Sequence, residues 1–498
     1  MTARTFSDDL ARGAALHPER TAVVTDDGDL SYGQLDEFAS ELAAGLLSKG
    51  VERGDRVAVM LPNGLTMAAS IFGVLRAGAA FVPLNPTIKR EKLAGLLGRS
   101  EARVLICDEQ RAPVAEEAVA ETPGAEVVDA TALRTEGLVR AKPLSSDLAA
   151  IVYTSGSTGV PKGVTLTHRN MTFVADSMIE YLEMDDRERV MCVLPLSFGY
   201  GLYQLLTCVR TGATLVLQAG LAFPGRVVQL LDEQAVTALP GVPTVFNVLL
   251  SLRGLAGREF PELRVLTNAG AALPAATIAE LRRVFPSARL YCMYGQTECQ
   301  RVCYLPPSEL DARPTSVGVA IPGTHAWVED PEGGTASPGV VGELMVLGDH
   351  VMQGYWNDPE ATAARLKPGR WPWERVLATG DLFRTDEEGF LYFVGRRDDI
   401  IKSGGEKVPP REVEEVLHHA PGVREAAVVG VPDKILGQAV CAHVALDPGQ
   451  DQDPTALRRY CAQHLEDYMV PRSVVFHDEL PRTHNGKLDR QALTNPGS

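Results

Sequence analysis

The chain has 498 residues, too many for a single hydrophobic core, so at least two domains are expected. Hydrophobic residues make up 45% and charged residues 22%, which excludes a disordered or collagen-like chain. A formal charge of −16 argues against broad binding to nucleic acid or anionic membrane, and any anionic ligand must then be met by a local cluster of cations.

Met1 to Asp9 is polar with no apolar stretch behind it, so no secretory leader is expected. Eight scattered cysteines build no disulfide framework, and Cys299 and Cys303 lack a second Cys/His pair at structural-zinc spacing; a cytoplasmic protein is expected. Ser31 followed by Gln34 is a capping box, and Leu35, Phe38, Leu42 and Leu46 repeat at helical spacing up to Gly50. Arg56 to Leu61 reads as a strand. The longest apolar run, Leu65 to Leu84, is broken by Gly73, Arg76 and Gly78, and predicts a buried helix leading into a strand, not a membrane span. The alternation recurs: Leu65–Arg76 before Ala79–Pro83, Lys89–Gly98 before Ala102–Cys107, and Val227–Glu233 before Val236–Leu239. This is the pattern of α/β architecture, parallel sheets covered by helices. From His325 to Tyr355, glycine turns at Gly333-Gly334 and Gly339 separate short β runs and predict a β-rich subdomain. The charged stretch Gly395 to Asp399 marks a boundary and a charged hinge, between a domain over 1–397 and a small α+β domain over 398–498. The latter holds a strand at Ile400-Ile401 and a helix from Pro410 to Leu417.

Tyr153-Thr154-Ser155-Gly156-Ser157-Thr158-Gly159-Val160-Pro161-Lys162-Gly163 falls between the apolar segment Leu148–Val152 and a returning strand, Val164 to Thr167. Backbone N–H groups, hydroxyls and one ammonium gathered in a tight loop suit a polyanion such as a nucleoside triphosphate. The order is not that of a Walker loop, since Lys162 follows Pro161 and precedes Gly163.

Five further stretches follow in order: Asn268-Ala269-Gly270-Ala271-Ala272-Leu273-Pro274; Tyr294-Gly295-Gln296-Thr297-Glu298; Thr379-Gly380-Asp381; Gly395-Arg396 through Glu414; and Pro481 through Arg490, including Gly486-Lys487-Leu488. With the loop, the set resembles the AMP-forming adenylating enzymes: acyl-CoA synthetases, stand-alone adenylation domains and luciferases. The resemblance implies ATP-dependent activation of a small carboxylic acid to an acyl-adenylate, then transfer to a phosphopantetheine thiol, most simply CoA. It implies that Thr154, Ser155, Gly156, Ser157, Thr158, Gly159 and Lys162 hold the phosphates, and that Glu298 with Thr154 holds Mg2+. Asp381 would accept the ribose hydroxyls, Tyr294 would stack on adenine against Gly270, Ala271 and Ala272, and Gly295, Gln296 and Thr297 would border the nucleotide. Arg396 would reach the ribose or phosphates. Lys487 would bridge the acid and the α-phosphate, then swing away about Asp398 as the face around Lys402, Gly404 and Gly405 admits the thiol.

The acid pocket implied by the resemblance takes in Phe198, Gly199, Tyr200, Phe246, Asn268, Gly295, Cys299 and Cys303. Amino-acid-activating relatives carry Asp where Gly199 stands, so an α-ammonium would be buried without a counter-ion, at a cost on the order of several kcal/mol. A medium-chain, alicyclic or aromatic acid is expected. A carrier-protein acceptor, with an acyl or β-amino acyl group, and a non-catalytic nucleotide-binding relative are the competing readings. Arg397, Lys434 and Arg472 are candidate CoA contacts.

Overall fold

The structure, a computed structural model, describes residues 5–137, 139, 143–154, 161–255, 257–397, 399–403, 406–483 and 488–494. Its internal contacts divide the chain into two compact units. The first comprises Met1–Glu309, Ala320–His325 and Val346–Leu377; the second comprises Leu310–Val319, Ala326–Met345 and Ala378–Ser498. The proposed hinge residue Asp398 lies outside the described residues.

In the first unit, one sheet runs in the order Gly354–Tyr355, Lys162–Thr167, Leu148–Thr154, Ala80–Pro83, Arg56–Met60, Ala102–Cys107, Glu126–Asp129. The strands from Leu148–Thr154 outward are parallel, and Lys162–Thr167 returns antiparallel. Val57, Ala58, Val59 and Met60 are all buried, the continuous apolar run that a parallel strand covered on both faces requires. The second sheet is parallel from Arg289–Tyr294 through Val265–Asn268, Ala238–Gly241, Arg189–Cys192 and Thr214–Leu217 to Thr21–Thr25. The ends of Val265–Asn268 and Arg289–Tyr294 carry two of the motifs, and loops beyond such strand ends are where α/β sheets bind ligands.

The capping box forms as predicted: Gln34 N–H donates to Ser31 Oγ at 3.3 Å, and Ser31 N–H donates to Gln34 Oε1 at 2.9 Å. The apolar run becomes a helix, Leu65–Arg76, buried from Met67 to Arg76 and leading into Ala80–Pro83. Arg76 is satisfied inside by the Asp36 carbonyl at 2.8 Å and the Asp36 carboxylate. Gly73 is required where this helix meets Tyr32–Ser48: a Cβ there would lie 2.8 Å from that of Leu42. Among the described residues no helix is long and apolar enough to cross a membrane. The strand expected at Val236–Leu239 forms two residues later, at Ala238–Gly241, because Ala235 adopts φ 46° and the Val236 N–H still caps the preceding helix at Leu231 O.

In the second unit, Asp381 pairs with Arg396 where the strands Arg375–Thr385 and Leu391–Arg396 run antiparallel. Farther on, Glu406–Val408, Ile401–Ser403, Gly437–Leu446 and Val423–Asp433 form an ordered sheet, with Ser473–His477 parallel to Gly437–Leu446. The helices Pro410–His418 and Pro454–His464 supply Val413, Leu417, Leu457 and Cys461 to the core against it. This is the small α+β piece expected near the C-terminus.

Candidate active site

The register of the hairpin sets the ends of the loop between Thr154 and Lys162. Thr154 stands opposite Lys162, and Thr154 Oγ1 donates to the Lys162 carbonyl at 3.5 Å. Both are half-buried. The next strand over, Gly354–Tyr355, pairs Tyr355 with Val164, which brings the Tyr355 ring 5.3 Å from the Lys162 ammonium. The Tyr355 hydroxyl donates to Glu298 Oε1 at 2.7 Å. The Glu298 carbonyl is fixed as well, accepting from the Met352 N–H at 2.9 Å. An ammonium and a carboxylate therefore meet through one tyrosine, and the Thr154 hydroxyl stands opposite that lysine in the hairpin.

The segment after Arg289–Tyr294 is tightly folded. The Cys299 and Gln300 N–H groups both donate to Gln296 O, and Gln300 adopts a left-handed φ of 62°. Gln300 Nε2 donates to Thr297 O at 2.7 Å, while its Oε1 occupies the space in front of Gly199, where a Cβ would lie 2.7 Å away. Gly295 faces the backbone of the same turn, a Cβ there lying 2.9 Å from Arg301 Cα. Tyr200, on the helix Gly199–Thr211, is buried and shares its hydroxyl with Thr267 Oγ1 at 2.6 Å. Over its ring, 4.7 Å from the centroid, lies the guanidinium of Arg301, 4% exposed. Burial holds the Tyr200 and Tyr203 phenols neutral, pushing both well above the ordinary tyrosine range, with Arg301 opposing the shift.

Other expected pocket residues are placed plainly. Phe246 is fully buried against Gly241, and Phe198 is half-buried. Cys299 and Cys303 are fully buried; burial pushes the Cys303 thiol up, so neither its exposure nor its charge suits it to chemistry. Asn268 Nδ2 donates to Ala271 O at 2.8 Å, bending the chain so that Gly270, Ala271 and Ala272 are set apart from the strand, with Gly270 at φ 87°. In the second unit, the Asp381 side chain is 9% exposed and 3.3 Å from Arg396 Nε, and the Asp381 N–H is tied to Thr379 Oγ1 at 3.1 Å. Lys402 is exposed, its N–H held by Gln438 Oε1 at 2.8 Å. Arg397 is ion-paired with Glu343 at 2.7 Å, and Arg472 lines a cleft of about 250 Å3 with Ser403, Glu406 and Tyr468.

Residues 10–356 match the AMP-binding enzyme family, and residues 412–487 match the AMP-binding enzyme C-terminal domain. The chain belongs to the AMP-binding enzyme family. It is 34% identical to feruloyl-CoA synthase of Amycolatopsis sp. over 96% of both chains. It is 32% identical to a linear gramicidin synthase polypeptide of Brevibacillus parabrevis over 96% of its own length, but it spans only 6% of that relative. Among solved structures, o-succinylbenzoate coenzyme A synthetase from Bacillus subtilis, in complex with ATP and magnesium ion, matches at 29% identity. The TM-score is 0.88, with 98% of this chain and 99% of that one covered.

In this AMP-binding enzyme, Lys162 and Glu298 are brought together at Tyr355, and Thr154 stands opposite Lys162. Ser155, Gly156, Ser157, Thr158, Gly159, Asp398, Gly404, Gly405 and Lys487 lie outside the described residues. Two residues escaped the sequence reading. Tyr355 gave no signal, because its partner Glu298 is 57 positions away. Arg301 did: a lone arginine inside the apolar run from Cys299 to Leu305 has to be buried or functional.

Proposed function

We propose that this enzyme joins a carboxylic acid to a thiol in two steps through an acyl-adenylate. The observation that carries the reading is the approach of Lys162 and Glu298 to Tyr355, with Thr154 opposite Lys162 in the hairpin. The first step sets the acid's carboxylate against the α-phosphorus of ATP, anion against anion, so cationic neutralisation and positioning dominate the barrier. Lys162 supplies fixed positive charge at the loop's base. Glu298 and Thr154 offer oxygen donors of the kind Mg2+ prefers, and they are the residues that would hold it. The ion, when bound, supplies further neutralisation of the phosphates. Asp381, with two acceptor oxygens, is assigned to the ribose hydroxyls, Tyr294 to the adenine face, and Lys487 to the reacting carboxylate and α-phosphate.

For the second step we assign Lys402, Gly404 and Gly405 to the thiol's entry and CoA as its carrier, as the names of two of the relatives above suggest. A carrier-protein arm is the second reading, and one observation favours it: Ile435, 87% exposed, sits beside Lys434 in a turn capped by Asp433, an apolar contact that CoA does not need. Pyrophosphate release measured across fatty, aryl and β-amino acids, with CoA, with a phosphopantetheinylated carrier and with neither, tests the reading. Acid-dependent release with thioester formation is the expected result. Release with no acid preference, or none with any acid, overturns it.

A further inference from the structure

We infer that the acid taken by this enzyme carries a second carboxylate, and that Arg301 receives it. The inference rests on the ligase reading above and names its substrate class.

Arg301 is 4% exposed, and among the described residues no carboxylate pairs with it, although the chain as a whole is strongly acidic. Nη1 is used, donating to the Gln300 carbonyl at 2.8 Å. Among the described residues Nε and Nη2 are buried without a well-formed hydrogen bond; the Tyr181 hydroxyl, which donates to Met293 Sδ at 3.0 Å, is close enough to act on the guanidinium. These two nitrogens form one edge of the planar guanidinium, the edge whose parallel N–H groups match the two oxygens of a carboxylate. A buried cation left half-satisfied is destabilising, and native chains keep one where something else completes it.

The surroundings point the same way. Arg301 lies over the ring of Tyr200, next to Gly199, where the family resemblance puts the acid. Tyr203, one turn along the same helix and fully buried, also has a hydroxyl with no partner among the described residues, close enough to Arg301 for the cation's charge to act on it. Two guanidinium N–H groups and one phenolic O–H thus stand without a well-formed hydrogen bond among the described residues, with the Tyr200 ring beside the guanidinium. A carboxylate accepts all three and brings one negative charge to one positive charge. A phosphate would bring a second charge with no second cation, and an apolar tail would leave all three donors unpaired. The ammonium of an α-amino acid would be repelled.

The test is acid-dependent pyrophosphate release by the full-length enzyme with matched pairs: straight-chain mono- and dicarboxylic acids of four to eight carbons, and benzoic against carboxybenzoic acids. The best diacid should exceed its monoacid partner in kcat/KM by at least about 30-fold, because a site built for a polar group strongly rejects the analogue lacking it. Arg301→Met should collapse that ratio to about one, mainly through KM for the diacid, as expected for a lost binding contact. Arg301→Lys keeps the charge without the two-pronged edge and should retain about a tenth of the preference. Tyr203→Phe, the least disruptive change, should lower the preference roughly 3-fold. A wild-type enzyme that prefers the monoacid, or a diacid preference unmoved in Arg301→Lys and Tyr203→Phe, overturns the inference while leaving the ligase reading intact. If neither monoacids nor diacids release pyrophosphate, the ligase reading itself falls and takes this inference with it.

Discussion

Tyr355 holds Glu298 by a 2.7 Å hydrogen bond, and the same ring lies 5.3 Å from the ammonium of Lys162. The hydroxyl engages only one carboxylate oxygen and so fixes the rotamer while leaving the other oxygen available to a cation. Tyr355→Phe keeps the ring under Lys162 and removes the orienting bond to Glu298. It should lower kcat/KM for acid-dependent ATP–pyrophosphate exchange about 10-fold and raise the Mg2+ concentration needed for half-maximal rate. Glu298→Gln, which removes the anionic oxygen itself, should cost about 100-fold or more. A Mg2+ titration of both variants checks this; an unshifted Mg2+ requirement in Tyr355→Phe would show that its hydroxyl serves only packing.

Gly199 meets the side chain of Gln300, which fills the space where a β-carbon would project. Gly199→Asp therefore does not convert the enzyme to α-amino acids. The new carboxylate would displace Gln300 and stand near Arg301, and a guanidinium–carboxylate pair would form before any ammonium entered. Pyrophosphate exchange with the full set of proteinogenic amino acids should stay at background in both wild type and variant, while turnover of the native acid falls at least about 10-fold through steric loss. Robust exchange with any α-amino acid in the wild type would refute the reading of this pocket.

Much of this could be seen in the chain before any coordinates. The capping box at Ser31, the buried run from Met67 to Arg76 and the hairpin that runs from Leu148–Thr154 to Lys162–Thr167 each rest on local pattern, and each is found. The local pattern failed where geometry is set by distant partners. Ala235 takes a left-handed conformation that delays its strand, Tyr355 reaches Glu298 from another edge of the fold, and the Gln300 turn points Arg301 inward. Charge supplied the one overlooked clue, since an arginine flanked by Gln300 and Val302 inside a buried segment contradicts the pattern around it.

Two buried imidazoles make the first unit acid-sensitive. His168 and His350 are 1% and 0% exposed, and burial lowers both pKa values from the ordinary 6.5 to about 4. Asp147 and Asp8 facing His168, and Asp349 facing His350, oppose the shift only in part. A depressed histidine pKa means that the unfolded chain binds protons between pH 6.5 and 4 while the native state does not. Stability is therefore intact above about pH 6.5 and is lost as pH falls, by about 2 kcal/mol per histidine at about pH 5. His350 stacks on Phe173 at 5.3 Å, and among the described residues neither of its ring nitrogens has a hydrogen-bond partner. His350→Leu should thus lose some stability at about pH 7.5 through packing, yet decline less steeply towards about pH 5, by about 2 kcal/mol. Urea melts at the two pH values distinguish the effects; parallel losses in both proteins would mean that His350 is protonated in the native state.

Lys487 and Lys402 carry opposite expectations for the two half-reactions. Adenylation brings a carboxylate to a phosphate, and Lys487 is the cation assigned to that encounter. Thioester formation needs no such charge, because the adenylate has already lost its pyrophosphate. Lys487→Ala should lower acid-dependent ATP–pyrophosphate exchange by about 100-fold or more, yet convert a supplied acyl-adenylate and CoA to thioester at close to the normal rate. Lys402 stands on the strand Ile401–Ser403 with its side chain exposed. Lys402→Glu places an anion at the proposed thiol entry and should spare exchange while slowing thioester formation roughly 10-fold, more at low salt than at high. Single-turnover assays of each half-reaction separate the two lysines. Equal damage to both steps in Lys487→Ala would mean that the tail does not alternate between two positions, and the assignment of Lys402 to the second step would lose its basis.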